Sequence, residues 1–219
     1  YVRVDNVSAA ALATYRDAYG PDVTADDVFD YVYGLLHSPD YRTRYAADLK
    51  RALPRIPLVS SADDFRAFTD AGRQLAALHI GYESADPYPL TETDTAANGI
   101  PDTDRYRVTK LRHPGRGRSQ DLTTLIYNQH LTLTGIPPQA HEYLVGSRSA
   151  LAWLVDRYKV STDPASGIVN DPNDWGAEHG DLRYVLDLVK RIVTVSVQTV
   201  QLVNALPALV LTGEPNATA

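Results

Sequence analysis

Residues 83–104 interrupt the helical periodicity of everything before them, and the chain beyond them follows a different period. Before this break the pattern is helical. Residues 8–19 are rich in helix formers and stop at Gly20-Pro21, a strong breaker. Thr24 precedes Asp27 by three residues, a weak relative of the capping box, and Val28, Val32 and Leu35 follow at helical spacing. Ser38 is placed to cap a helix that starts at Pro39, and Tyr41, Tyr45, Leu49 and Leu53 then recur every four residues until Pro54. The segment 54–57 must be extended. A third long helix is expected over residues 62–80, with Phe65, Phe68, Leu75 and Leu78 aligned and Gly81 as its stop. Within 83–104 the periodicity disappears, and Pro, Thr, Asp, Asn and Gly accumulate. That composition reads as a linker or long loop between two parts of the chain.

After the break, Tyr106 and Val108 alternate with Arg107, while Leu111 falls out of phase, which suggests a bulge near residues 109–110. Residues 122–127 and 130–134 are β-rich runs separated by Asn128-Gln129, the pattern of a tight hairpin. Residues 105–112 are expected to pair with one of these runs across a basic loop, 113–120, containing Pro114, Gly115 and Gly117. Helical signals then return. Ser147 or Ser149 can cap a helix carrying Leu151, Leu154 and Tyr158, and residues 160–180 are irregular and rich in turn-forming Asx residues. The last element begins near Asp181. Residues 192–203 are β-branched and also fit a strand's period, but the face of Leu182, Val185, Val189 and Ile192 continues unbroken, so a helix is expected. The fold class is therefore α+β, mostly helical with a small antiparallel sheet or hairpin in the middle. The expected divisions are a helical subdomain at 1–83, the linker at 84–104 and a mixed portion at 105–219.

Charge is sorted along this chain. Residues 105–120 hold Arg105, Arg107, Lys110, Arg112, Arg116 and Arg118 without one acidic residue, in a chain whose net charge is −6. Residues 83–104 hold Glu83, Asp86, Glu92, Asp94, Asp102 and Asp104 without one base. Like charges in a block repel, so such sorting is not expected from stability alone. A positive patch on an acidic body can attract an extended anion, and nucleic acid is the first candidate.

Composition excludes several classes. There is no cysteine, hence no disulfide, no cysteine zinc site and no thiol nucleophile. No N-terminal stretch has a signal peptide's layout, and no apolar run approaches the roughly 20 residues of a membrane span. The chain begins at Tyr1 and lacks Met, which suggests a piece of a longer polypeptide, and a cytoplasmic setting is expected. Motifs for catalysis are missing as well. Asp40, Asp48 and Lys50 match a nuclease-like text pattern, but on a helix eight residues are about 12 Å of rise, too far for one Mg²⁺. The six histidines form no pair at ligand spacing, there is no Gly-x-Ser-x-Gly elbow, and no phosphate-cradling Gly-rich loop occurs. Residues 170–175, Asn-Asp-Pro-Asn-Asp-Trp, lack the second proline and adjacent aromatic of the tetrapeptide with which amino-methyltransferases hold a base. A turn-rich loop is the better reading.

Three long segments carry a resemblance. They are FDYVYGLLHSPDYRTRYAADLKRALPR at 29–55, DFRAFTDAGRQLAALHIGYE at 64–83, and a third running from Ile126-Tyr127-Asn128 through GIPPQAHEYLVGSRSALAWLVDRYKVSTDPASGIVNDPNDW at 135–175. Together they resemble, in order, the C-terminal specificity region of type ISP restriction–modification enzymes. The resemblance implies a target recognition domain for double-stranded DNA. It would belong to a single polypeptide that also carries a nuclease, a helicase-like ATPase, a coupling region and an upstream N6-adenine methyltransferase domain. It implies no catalysis and no cofactor in this chain, with S-adenosylmethionine, ATP and Mg expected for the parent enzyme only, and no membrane partner. Lys110, Arg112, Arg116 and Arg118 would contact phosphates, alongside Arg105 and Arg107, with one or two arginines bidentate to guanine. Lys159, Ser161 and Thr162 form a second candidate surface. The alternative function is an inter-domain coupling module without DNA contact, whose interface would be the tyrosines at 31, 33, 41 and 45.

Overall fold

The computed structural model describes residues 6–214, which divide into two compact units, residues 6–80 with 201–214, and residues 81–200. The first unit opens with α1 (Ala9–Tyr19), whose N-cap Ser8 accepts from Ala11 N–H. Helix α2 (Ala25–His37) begins with a complete capping box: Thr24 accepts from the Asp27 N–H, and the Asp27 carboxylate accepts from the Thr24 N–H. Ser38 caps α3 (Pro39–Arg44), with Pro39 in its first turn. Helix α4 (Ala62–Ile80) starts at Ser61, which bonds the Asp64 N–H at 3.0 Å. The expected helix over 39–53 is shorter than its periodicity implied. Beyond Arg44 the chain proceeds in irregular turns, because Leu53, the last residue of that stripe, is 89 % exposed and buries nothing.

Tyr15, Tyr31, Leu35, Tyr41, Phe65 and Phe68 make this unit's core. Three tyrosine hydroxyls reach from it to carbonyls of one extended segment: Tyr41 to Arg55 at 2.6 Å, Tyr31 to Pro57 at 2.7 Å and Tyr19 to Val59 at 2.9 Å. These hydroxyls thereby find acceptors within the unit, and the Val59 carbonyl also accepts from the Thr212 hydroxyl at 3.0 Å. The tyrosines expected to form an interface at 31 and 41 are thus interior residues of their own unit. Helices α2 and α4 cross at Gly34 and Gly72, where a Cβ on Gly72 would lie 1.8 Å from Asp30 O.

At the far end of these helices, His79 Nδ1 lies 2.8 Å from the Tyr33 hydroxyl and its ring 5.5 Å from that of His37. Burial, followed by the neighbouring His37, lowers the His79 pKa to about 4. A depressed histidine pKa means that the unfolded chain binds the proton first. The stability linked to His79 is therefore complete above pH 6.5 and lost as pH falls toward 4. Lowering pH from 7 to 5 should cost about 1–2 kcal/mol once screening of a half-exposed ring is allowed for. Urea midpoints by far-UV circular dichroism at both pH values check this, and His79→Gln should flatten the dependence.

In the second unit a three-stranded antiparallel sheet has the order β1 (Thr91–Asp94), β3 (Leu131–Thr134), β2 (Thr124–Ile126). The expected hairpin is β2–β3. Its turn is built by the Asn128 carboxamide oxygen, which accepts from the His130 and Leu131 N–H groups, and this explains why no glycine is needed. Residues 84–104, expected as a linker or loop, supply the edge strand β1 and a short helix, α5 (Asp102–Arg105). Two two-stranded ribbons follow, β4 (Leu144–Val145) with β5 (Arg148–Ser149) and β6 (Ser161–Thr162) with β7 (Val169–Asn170). Helix α6 (Ala150–Arg157) is capped by Ser149, and α7 (Asp174–His179) and α8 (Tyr184–Asn204) follow, the last residues of α8 belonging to the first unit, where Leu211 bridges Val59. The β-branched run at 192–203 is helical, because Val185, Val189, Val193 and Val200 share the buried face. The fold is α+β and mostly helical, with small antiparallel sheets. Among the described residues no helix is long and apolar enough to cross a membrane.

Candidate nucleic-acid interface

The basic segment lies entirely in the second unit, and its six cations divide into two groups. Arg105 is paired with Asp94, donating from Nε at 2.6 Å, and Arg107 is paired with Asp171. The Ala96 N–H and then Arg105 hold the Asp94 carboxyl below its usual range. Burial alone would raise the Asp171 carboxyl, but hydrogen bonds from Asn173 and Arg107 outweigh it and lower the pKa. By contrast Lys110, Arg112, Arg116 and Arg118 are all exposed, and among the described residues no carboxylate pairs with them. The acidic block at 83–104 finds its partners elsewhere too. Glu92 accepts from Arg183 at 2.8 Å and from Lys190, which hold its pKa down despite burial, and Glu83 accepts from the Tyr184 hydroxyl at 2.7 Å. Part of the charge sorting therefore has a structural reason, contrary to the expectation from sequence. The four unpaired cations are what that reason leaves over.

Their backbone is held unusually. Residues 105–112 were expected as a strand, but only two isolated bridges form, Arg112 with Ile126 and Lys110 with Lys159. Side chains replace the rest of the ladder. Asn173 accepts from the Val108 N–H at 2.9 Å and donates to the Val108 carbonyl at 2.8 Å. Asn128 donates to the carbonyls of Arg105 and Arg107 at 2.9 and 3.0 Å. Val108 and Leu111 are both buried, as their out-of-phase spacing required, and Tyr127 donates to Tyr106 O from the core. Sequence reading singled out neither asparagine for this role. The signal in the sequence is the concentration of Asx residues around Pro172, a pattern that a turn cluster produces equally well.

The basic loop closes on itself. Asp121 N–H bonds Pro114 O at 2.9 Å, and residues 117–119 form one turn of 3₁₀ helix. Gly115 has φ +82°, and a Cβ there would sit 2.3 Å from Ser119 O, so only glycine fits this closure. Beneath the loop His113 donates from Nδ1 to Thr124 O at 2.7 Å, and burial lowers its pKa. Arg116 and Arg118 thus stand on a scaffold fixed by main-chain bonds.

The Lys110–Lys159 bridge sets the second candidate surface beside the first, fastened by Val160 N–H to Thr109 O at 3.0 Å. Two lysines facing each other across a bridge repel unless an anion lies over them. Lys159 also approaches Asp156 at 3.3 Å, while Ser161 and Thr162 are taken up in β6, facing Asn170 and Val169. Among the described residues no cluster of three or more histidines or carboxylates could hold a metal ion.

This chain belongs to the Type ISP C-terminal specificity domain family, whose model matches residues 2–188. It resembles a nuclease-deletion mutant of the Type ISP restriction–modification enzyme LlaGI in complex with a DNA substrate mimic, at 40 % identity and a TM-score of 0.75, over 87 % of this chain and 17 % of that one. It also resembles the ATP-dependent Type ISP enzyme LlaBIII bound to DNA, at 35 % identity and 0.76, over 88 % and 12 %. A DrdV–DNA complex matches at 35 % identity and 0.79, over 95 % and 21 %. The chain therefore spans about a fifth or less of these proteins. No curated protein matches it.

Proposed function

We propose that this chain reads a short duplex DNA sequence on behalf of an N6-adenine methyltransferase and an ATP-driven motor elsewhere in the same cytoplasmic polypeptide. The observation that carries the reading is the strip of exposed cations without carboxylate partners, Lys110, Arg112, Arg116 and Arg118, adjoining Lys159. In this reading the strip follows DNA phosphates, and Arg116 or Arg118, at the tip of a stiff loop, presents a guanidinium fork to guanine O6 and N7. Arg105 and Arg107 act at one remove, fixing the segment through Asp94 and Asp171. Ser161 and Thr162 add hydroxyl donors at the edge of the strip. S-adenosylmethionine, ATP and Mg belong to the parent enzyme, and no catalytic step is assigned to this chain. The DNA-bound relatives support the reading. Of the four tyrosines on which the coupling alternative rests, Tyr31 and Tyr41 are buried and Tyr33 and Tyr45 are partly buried.

Fluorescence anisotropy with duplex DNA across a salt series tests it. Four or five phosphate contacts should give a slope of log affinity against log salt of about −3.6 to −4.5, and Arg112→Ala with Arg116→Ala should reduce its magnitude by about 1 to 2. A slope that the double variant leaves unchanged would remove this surface from the interface.

A further inference from the structure

The tip of the β2–β3 hairpin, residues 128–130, is fastened to the start of the basic segment. Asn128 joins them: its carboxamide oxygen accepts from the His130 and Leu131 N–H groups at 2.8 Å, and its nitrogen donates to Arg105 O and Arg107 O. The His130 carbonyl is held from strand β1's side, by the Thr95 N–H at 2.9 Å and the Thr95 hydroxyl at 3.1 Å. The tip is therefore rigid although it is a turn. Gln129 stands exposed on it, and its Nε2 lies 3.0 Å from Nε2 of His130. That is the side chain's one hydrogen bond among the described residues, and it sets the direction of the amide. An amide nitrogen only donates, so His130 Nε2 accepts and the imidazole proton sits on Nδ1. The second N–H of Gln129 and its oxygen are left as an adjacent donor and acceptor without protein partners.

Between this tip and the basic segment lies a recess of about 440 Å³, lined by Pro101, Asp104, Arg107, Thr109, Gln129 and His130 among others. Its chemistry does not suit a phosphate. Arg107, its one permanent cation, is paired with Asp171, and Asp104 has no cation paired with it among the described residues. The free cations begin just past the recess, at Lys110. A duplex whose phosphates follow the strip thus meets, at this tip, a surface suited to an uncharged hydrogen-bonding edge.

We propose that Gln129 reads an adenine in the major groove, its oxygen accepting from N6 and its remaining N–H donating to N7, with His130 as its positioning residue. Adenine presents an acceptor beside a donor on that edge, whereas guanine presents two acceptors and would face the Gln129 oxygen with O6. The inference rests on the duplex reading above and adds to it one base and the side chain that selects it. Because the amide is already oriented by His130, little freedom remains to be lost on binding.

The test selects duplexes with a randomised core by retention on this chain and sequences the bound fraction. The parent should enrich a motif with adenine at one position, which Gln129→Ala loses while the rest of the motif stays. Gln129→Glu, whose carboxylate only accepts, should replace that adenine by cytosine. By anisotropy, the selected duplex should bind the parent about 5- to 150-fold tighter than the same duplex with guanine at that position. His130→Ala leaves the amide free to turn over and should lose most of that preference. The slope of log affinity against log salt should be the same in the parent and all three variants, because no phosphate contact is removed. A motif that Gln129→Ala keeps at every position, or a slope whose magnitude falls by about 1 in that variant, overturns the adenine contact and leaves the duplex reading standing. Full preference in His130→Ala overturns the positioning role. If the parent enriches no motif, both readings fall together.

Discussion

Replacing Gly72 by Ala should unfold most of the first unit's helical packing, at a cost of about 3 kcal/mol or more. Helix propensity alone predicts the opposite sign, since Ala is favoured over Gly in a helix interior by roughly 0.5–1 kcal/mol. The crossing decides. A Cβ at 72 would meet Asp30 O at 1.8 Å and Gly34 N at 2.8 Å, and both atoms are backbone, which no rotamer change can move. Reaching ordinary contact requires α2 and α4 to separate by roughly 1.5 Å along their shared face, where Tyr31, Leu35, Phe65 and Phe68 are packed, and overpacking on that scale exceeds the usual 1–3 kcal/mol. Gly34→Ala meets the same obstacle from the other side, 2.2 Å from Phe68 O. Urea unfolding followed by far-UV circular dichroism, with amide exchange of α2 and α4, measures it. Both tryptophans, Trp153 and Trp175, lie in the other unit, so tryptophan emission reports on that unit separately. A Gly72→Ala chain as stable as its parent would show that the helices do not approach this closely.

The second large effect belongs to Asn173→Ala, expected to destabilise the second unit by about 3 kcal/mol. The carboxamide satisfies both main-chain groups of Val108, a fully buried residue with no strand on that side. Truncation leaves a buried N–H and a buried C=O unpaired, each worth about 1–3 kcal/mol, and releases one of the bonds that hold Asp171 for Arg107. Asn173→Asp keeps the acceptor but faces the Val108 carbonyl with negative charge, so it should rescue little. Tryptophan-monitored unfolding reads the stability, and exchange of the Val108 amide reads the clamp itself. Duplex affinity should fall with the lost clamp although no cation has been removed. Wild-type stability in Asn173→Ala would mean that the bridges at Lys110 and Arg112 suffice to hold the segment.

What was legible in the sequence follows from the range of the interactions involved. Capping is local, so Thr24 with Asp27 and Ser38 with Pro39 place two helix starts to the residue, and Ser149 is one of the two serines, with Ser147, offered for a third. Burial periodicity persisted through the β-branched run at 192–203 because the apolar face continued across it. Strand β1 was hidden for the opposite reason. Its sequence Thr-Glu-Thr-Asp buries almost nothing, and it joins the sheet through backbone pairing with β3 alone, so no alternation marks it. The helix at 39–53 was overextended because a four-residue stripe does not reveal whether its last member meets a core. In the basic segment the cations were visible as composition, but their division into paired and free was not. Asp94 and Asp171 lie 11 and 64 residues from the arginines they hold, and that distance is invisible to any local pattern.

The closure at Gly115 has a consequence for how such a chain can change its preference over time. Because the loop's shape is set by main-chain bonds from Asp121 to Pro114 and from Ser119 to Arg116, it does not depend on which side chains stand at 116 and 118. Those two positions can be exchanged without rebuilding anything beneath them. Under the duplex reading, a new target is then reachable by single substitutions that leave stability almost untouched. The glycine under the loop, by contrast, has no substitute.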